Sequence, residues 1–367
     1  MAINSTPMAF VRFSVDTPSS EFWSTFDDAI RGAVFVTEEG ASISSGLVTW
    51  DDSFKTDFSY ACYNKGEYVA FQFRVDERKV PPIIKKQYVS KKVEEYKAAN
   101  EGRFPSREIR KEISENADLV LLQRAFPVPS FCELIWNPRS QVLYAGSANT
   151  KMLERLVEFF ESKFQLYPRI MSSVELGKRL FVGSEEYIAR ITAFEEDGSS
   201  TLLGHEFLTW LWYSLDSEIM TGISVREKPV AAGLLDRISL TLPGDNKEKV
   251  IVVTSDPNAV HEARLALFQG KSVDEIALAM TVGDSEYTVT LDRGIYSIKN
   301  VKPPKHDGTR TDDDEDGKFF EKMFFLEEVC DAIDAMYKEF LSKRLDLSEW
   351  EVLKNEQREW IERGINR

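Results

Sequence analysis

Lys85, Lys86, Lys91, Lys92 and Lys97 crowd the run VPPIIKKQYVSKKVEEYK, and Arg103, Arg107, Arg110 and Lys111 follow close behind. Side chains of this kind neutralise phosphates and release the counterions condensed on a nucleic acid. They position a protein without reading sequence, because phosphate contacts carry no base information. Between Arg74 and Lys111 twelve basic residues stand against six acidic ones, a local balance of +6, so the rest of a chain whose formal net charge is −15 carries −21. A pI near 4.9 argues against nucleic acid as a partner, whereas positive charge gathered into one segment argues for it. The plainer alternative is a solvated helical hairpin with ordinary surface lysines. Composition leaves both open.

Other groupings are weaker. A metal-dependent nuclease needs several carboxylates converging on Mg²⁺. Asp316-Gly317-Lys318 and Asp245-Asn246-Lys247 have a D-x-K pattern, but both fall in loop-like sequence without a strand partner. The acidic run DDDEDG from Asp312 imitates the start of a calcium loop, yet Met323 stands where the closing Glu should be. His205, His261 and His306 lack companions at zinc spacing, and no glycine-rich loop resembles a P-loop. The expectation is therefore no metal, no cofactor and no catalytic residue. The aromatic block FLTWLWY could stack unpaired bases, or serve as core or dimer interface.

The elements that carry these residues are legible in outline. At 367 residues, 43% hydrophobic and 12% aromatic, the chain can build two or three cores. No apolar run approaches the ~18 residues that span a bilayer, and the start MAINSTPMAF does not read as a signal peptide. Three widely spaced cysteines fit neither a disulfide framework nor a zinc site, so a cytoplasmic setting is expected. MAFVRFSV reads as a strand, SSEFWSTFDDAIRGAVF as a capped helix, and DFSYACYNKGEYVAFQFRV as a hairpin turning at Asn64-Lys65-Gly66. Pro82 opens a helix with Val89, Val93 and Tyr96 as its buried seam, and SREIRKEISENADLVLLQRAF forms the returning helix. FCELIWNPRSQVLYAG is a further hairpin and TKMLERLVEFFESKF an amphipathic helix. EKVIVVTS reads as a strand, Asp256-Pro257 opens a helix, and a meander turns at Gly283-Asp284 and Arg293-Gly294. The fold expected is α+β, antiparallel sheets with packed helices and a protruding helical hairpin. Its parts are an α+β domain over 1–170 with the hairpin at 81–122, a second α+β domain over 171–305, an acidic loop at 306–317 and helices over 318–367.

The run VDERKVPPIIKKQYVSKKVEEYKAANEGRFPSREIRKEISENADLVLLQRAF resembles the RdgC recombination-associated family, with its lysine- and glutamate-rich hairpin and closing LLPRAF-like motif. Here that motif is Leu121 to Phe126, with Gln123 in place of Pro. LYPRIMSSVEL and EKVIVVTSDPNAVHEARLALFQGKSVDEIALAMTV follow in the family's order, although Thr254 and Ser255 stand where members place basic residues. The resemblance implies a non-catalytic, nucleoid-associated protein that forms ring-shaped homodimers around double-stranded DNA without sequence preference and restrains RecA-type recombinases. A ring can be acidic outside and basic within its hole, which would reconcile the two charges. The resemblance gives Arg124 and Phe126 an interface or motif-packing role. It also brings the label of an exonuclease as an alternative activity, and a protein-interaction module of a mobile element is the third reading.

Overall fold

Strand and helix periods in the sequence become mixed helix and antiparallel sheet in the computed structural model, which describes residues 3–38, 40–242, 249–252, 257–304 and 315–365. In chain order the elements begin with β1 (Met8–Ser14), α1 (Ser20–Gly32), β2 (Ile43–Thr49), β3 (Asn64–Lys65), β4 (Tyr68–Arg78), α2 (Pro82–Ala99), α3 (Arg107–Arg124), β5 (Pro127–Asn137), β6 (Val142–Ala145) and α4 (Thr150–Phe164). They continue with β7 (Arg169–Ile170), α5 (Ser173–Leu180), α6 (Glu185–Glu196), α7 (Ser200–Asp216), β8 (Ser224–Val225), β9 (Lys228–Thr241), β10 (Lys249–Val252) and α8 (Pro257–Phe268). β11 (Ser272–Val282), β12 (Ser285–Asp292), β13 (Ser297–Lys302), α9 (Glu315–Leu345) and α10 (Leu347–Ile365) complete them. The chain divides into two compact units: a smaller one of Thr17–Pro138 and Thr150–Leu166, and a larger one of Met1–Asp16, Arg139–Asn149 and Tyr167–Arg367.

In the smaller unit β4 is central, pairing antiparallel with β2 and β5, with Phe73 opposite both Leu47 and Cys132. Helices α1 and α4 supply the apolar layer. Ser19 Oγ caps α1 by accepting from Phe22 N, and Phe26 and Ile30 recur at helical spacing on the buried side. Phe159, Phe160 and Phe164 of α4 meet Phe71, Phe73 and Phe26, all buried. Each such ring contributes roughly 1.5–3 kcal/mol of burial. The hairpin expected over Asp57–Val75 is shorter than its sequence suggests. Asp57 Oδ1 accepts from Ser59 N at 2.9 Å and turns the chain, so only Asn64 and Lys65 pair with β4.

The larger unit carries an antiparallel sheet in the order β10-β9-β11-β12-β13-β1-β6, with β7 added to β1 and β8 to β9. The meander β11-β12-β13 falls where its turns place it. The aromatic block lies in α7, where Phe207, Trp210 and Trp212 are fully buried and pack on Tyr337 and Phe340 of α9 and Trp360 of α10. It is core, and base stacking by these rings is excluded. Arg12 of β1, itself buried, is held by Asp334 of α9 at 2.7 Å. Asp316, Gly317 and Lys318 lie at the start of α9, and Met323 is buried along it. Of the acidic loop expected at 306–317, residues 306–314, His306 among them, lie outside the described residues, as do the Asp245–Lys247 pattern, Thr254, Ser255 and Asp256, and residues 315–317 are helical. Among the described residues no helix is long and apolar enough to cross a membrane.

Candidate nucleic-acid interface

Helices α2 and α3 form the expected hairpin and pack mainly on each other. Pro82 sits in the first turn of α2, where its missing N–H costs nothing. The helix ends in a reversal: Gly102 N donates to Lys97 O at 2.9 Å while Gly102 takes φ +80°, a conformation that favours glycine. Ser106 Oγ then caps α3 by accepting from Ile109 N at 3.3 Å. At the base, Arg78 of β4 donates to the carbonyls of Gln123 and Ala125, 3.3 and 2.9 Å away, and ties down the end of α3. Sequence gives no sign of this role for Arg78, since its partners lie more than forty residues on.

The buried seam expected of Val89, Val93 and Tyr96 is only half-buried, and no residue of α2 is fully buried. Ala117 of α3 is the one fully buried residue of the two helices. The reason lies in the partner: each helix has only the other to cover it, and a two-helix contact leaves most of its surface wet.

The nine candidate cations divide into two groups. Lys85 Nζ reaches Asp118 at 2.6 Å, Lys92 reaches Glu95 at 2.7 Å, Lys97 reaches Glu94 at 2.7 Å and Lys111 reaches Glu115 at 3.7 Å. The bond from Lys92 holds the Glu95 carboxyl below its ordinary pKa, and the same contact raises Lys92. Lys97 also covers the ring of Phe104 at 3.8 Å. Lys86, Lys91, Arg103, Arg107 and Arg110 are exposed and make no ion pair among the described residues, and Arg124 is in the same condition. The more N-terminal basic residues of the segment are fixed at the base. Arg74 binds Asp76 through two bonds of 2.7 Å and lies over the Phe35 ring at 4.0 Å, and Lys79 meets Glu77 at 3.1 Å.

Such an element can present unpaired guanidinium and ammonium groups to a polyanion. Exposed pairs such as Lys92–Glu95 are weak enough for a phosphate to replace the carboxylate. Phe126 is 89% exposed, so it packs into no core of this chain. Ile83, Phe104 and Leu119 of the hairpin are exposed as well; the sequence does not single out apolar residues facing water at these places, because Ile83 and Leu119 read as ordinary helix formers. His205 and His261 are spent on the carbonyls of Val273 and Gly364, at 2.7 and 2.9 Å. Among the described residues no three His, Cys, Asp or Glu side chains gather so as to hold a metal.

No curated protein matches the chain. Residues 38–176 match the family model described as "Putative exonuclease, RdgC". Over that stretch, which builds the hairpin and its supporting strands, the chain is similar to the RdgC family.

Proposed function

We propose that the chain binds double-stranded DNA without sequence preference through the α2–α3 hairpin. As a homodimer closed around the duplex, it restrains the access of a RecA-type recombinase. The observation that carries this reading is the set Lys86, Lys91, Arg103, Arg107 and Arg110, five exposed cations without a carboxylate partner among the described residues in a chain of net charge −15. The family match over residues 38–176 supports a recombination-associated role. Five uncompensated cations on a thin, solvent-covered hairpin suit phosphates of any sequence, since phosphate contacts carry no base information. Acidic surface elsewhere discourages side-on binding and leaves the hairpin as the contact.

The test uses two labelled duplexes of unrelated sequence, incubated with the protein at low salt and then with Mg²⁺ or Mn²⁺. The reading expects both to be retarded equally and to remain intact. Shortening of the strands with either metal would favour the exonuclease named by the family. Absence of retardation at low salt would favour a protein-interaction module instead.

A further inference from the structure

A polar cavity of about 460 Å³ lies within the larger unit, a size that suits a small ligand. Three of its lining residues are cations from separate parts of the sheet: Lys249 at the start of β10, Arg293 in the β12–β13 turn and Lys299 on β13. Two are aimed by carboxylates and keep free donors. Arg293 Nη1 lies 3.2 Å from Asp274 and 3.5 Å from His205 Nε2, its Nε and Nη2 make no hydrogen bond among the described residues, and Lys299 Nζ lies 3.4 Å from Asp292. Lys249 is exposed and makes no ion pair among the described residues. Tyr296 lines the same space, and its hydroxyl likewise makes no hydrogen bond among the described residues. Thr201, in the first turn of α7, adds a hydroxyl, and Ser199 gives that helix end no side-chain cap.

The turn that carries Arg293 is held rigidly. Asp292 Oδ1 accepts from Gly294 N at 2.9 Å, and Ile295, fully buried, is kept at φ +65°. A β-branched residue rarely adopts that conformation. Gly204 of α7 lies so close that a Cβ there would stand 1.6 Å from the Arg293 carbonyl oxygen. Donors fixed in advance lose little freedom when a ligand arrives. Opposite Asp292 across the β11–β12 ladder stands Glu275, a lining carboxylate without an ion pair among the described residues. It would repel a bare anion but can accept a hydrogen bond from a hydroxyl.

We propose that this cavity binds a small phosphomonoester with a sugar hydroxyl, a nucleoside monophosphate being the simplest case. Lys249, Arg293, Lys299 and Tyr296 take the phosphate, and Glu275 accepts from the sugar. The site is independent of the hairpin. Its ligand is either a free nucleotide or the terminal phosphate of a strand, since both offer the same group.

Calorimetric titration of the full chain with inorganic phosphate and with AMP, at constant ionic strength in chloride, tests the proposal. Both should bind saturably, AMP more tightly. Lys249→Gln should weaken both by about tenfold, and, being an exposed substitution, should leave ligand-free thermal unfolding unchanged. Glu275→Gln should narrow the preference for AMP over phosphate, by removing both the acceptor for the sugar hydroxyl and the charge that repels a bare anion. A 5′-phosphorylated oligonucleotide that displaces AMP where its 5′-hydroxyl counterpart does not would assign the site to strand ends; no displacement, with AMP binding intact, would assign it to free nucleotides. Heats that never saturate above the chloride control, or equal affinities for the parent chain and Lys249→Gln, would overturn it. Because Lys249 lies outside the hairpin, loss of AMP binding with duplex binding intact separates this site from the proposed DNA surface.

Discussion

Arg74 and Arg107 belong to one basic segment and are bound in opposite ways. Arg74 is locked by two bonds to a buried Asp76 and by the ring of Phe35, whereas Arg107 is exposed and unpaired among the described residues. Arg74→Gln should therefore cost about 3 kcal/mol of stability, as expected when a buried carboxylate loses its cation, and leave the salt dependence of DNA binding alone. Arg107→Gln should leave stability within about 0.5 kcal/mol and make the slope of log K against log salt shallower by about 0.9, one phosphate's worth. Denaturant unfolding and binding titrations on both variants check the pair; a slope change in the Arg74 variant would show that the base of the hairpin also touches DNA. The sequence displays the cations themselves and, through their spacing, the contacts Lys92–Glu95 and Lys111–Glu115. It does not display Lys85–Asp118, whose partners are 33 residues apart and meet only once the helices pack. Charge counting along a segment therefore overstates the charge that remains free.

At the scale of elements, hairpin and sheet differ in what holds them. The hairpin has one fully buried residue, so its ends and caps matter more than its interior. Ser106→Ala removes the cap of α3 and should cost about 1 kcal/mol locally. Hydrogen exchange should quicken by about fivefold over the first turn of α3 while the global unfolding midpoint stays put; a fall in the midpoint would mean that the hairpin and the sheet unfold together. β2 behaves in the opposite manner. Gly46 lies under the backbone of Phe35, where a Cβ would stand 2.4 Å from Cα. Gly46→Ala should cost about 3 kcal/mol because backbone cannot move aside as a side chain can. Gly233→Ala in β9, with nothing within 4 Å, should cost almost nothing. Thermal unfolding of the two variants compares them directly, and equal midpoints would refute the close packing at Gly46. Neither β2 nor β9 is legible in the sequence. The first reads as a serine- and glycine-rich loop, ASISSGLVT, because its glycine answers a tertiary contact. The second is out of register with β11 at two places, which breaks the alternation that marks a strand. The β11–β13 meander is legible because each strand alternates and each turn carries its glycine.

For the whole molecule, the proposed ring requires two copies of the chain. Phe126, 89% exposed beside the hairpin base, is the residue proposed for that contact. Light scattering at micromolar concentration should give twice the 42.0 kDa of one chain, and Phe126→Asp should shift it toward that single mass; a monomer in the parent protein would remove the ring. The central claim is that the free cations of the hairpin are the duplex-binding surface, and binding across a salt series tests it most directly. In one variant Lys86, Lys91, Arg103, Arg107 and Arg110 are all replaced by Gln, which removes charge without breaking an ion pair and supports a helix about as well. With helicity and unfolding midpoint unchanged, the account predicts weaker binding to every duplex alike and a slope shallower by about 0.9 for each phosphate that is no longer neutralised. A folded variant that binds with the affinity and slope of the parent chain would contradict it, and the hairpin would then be a solvated face.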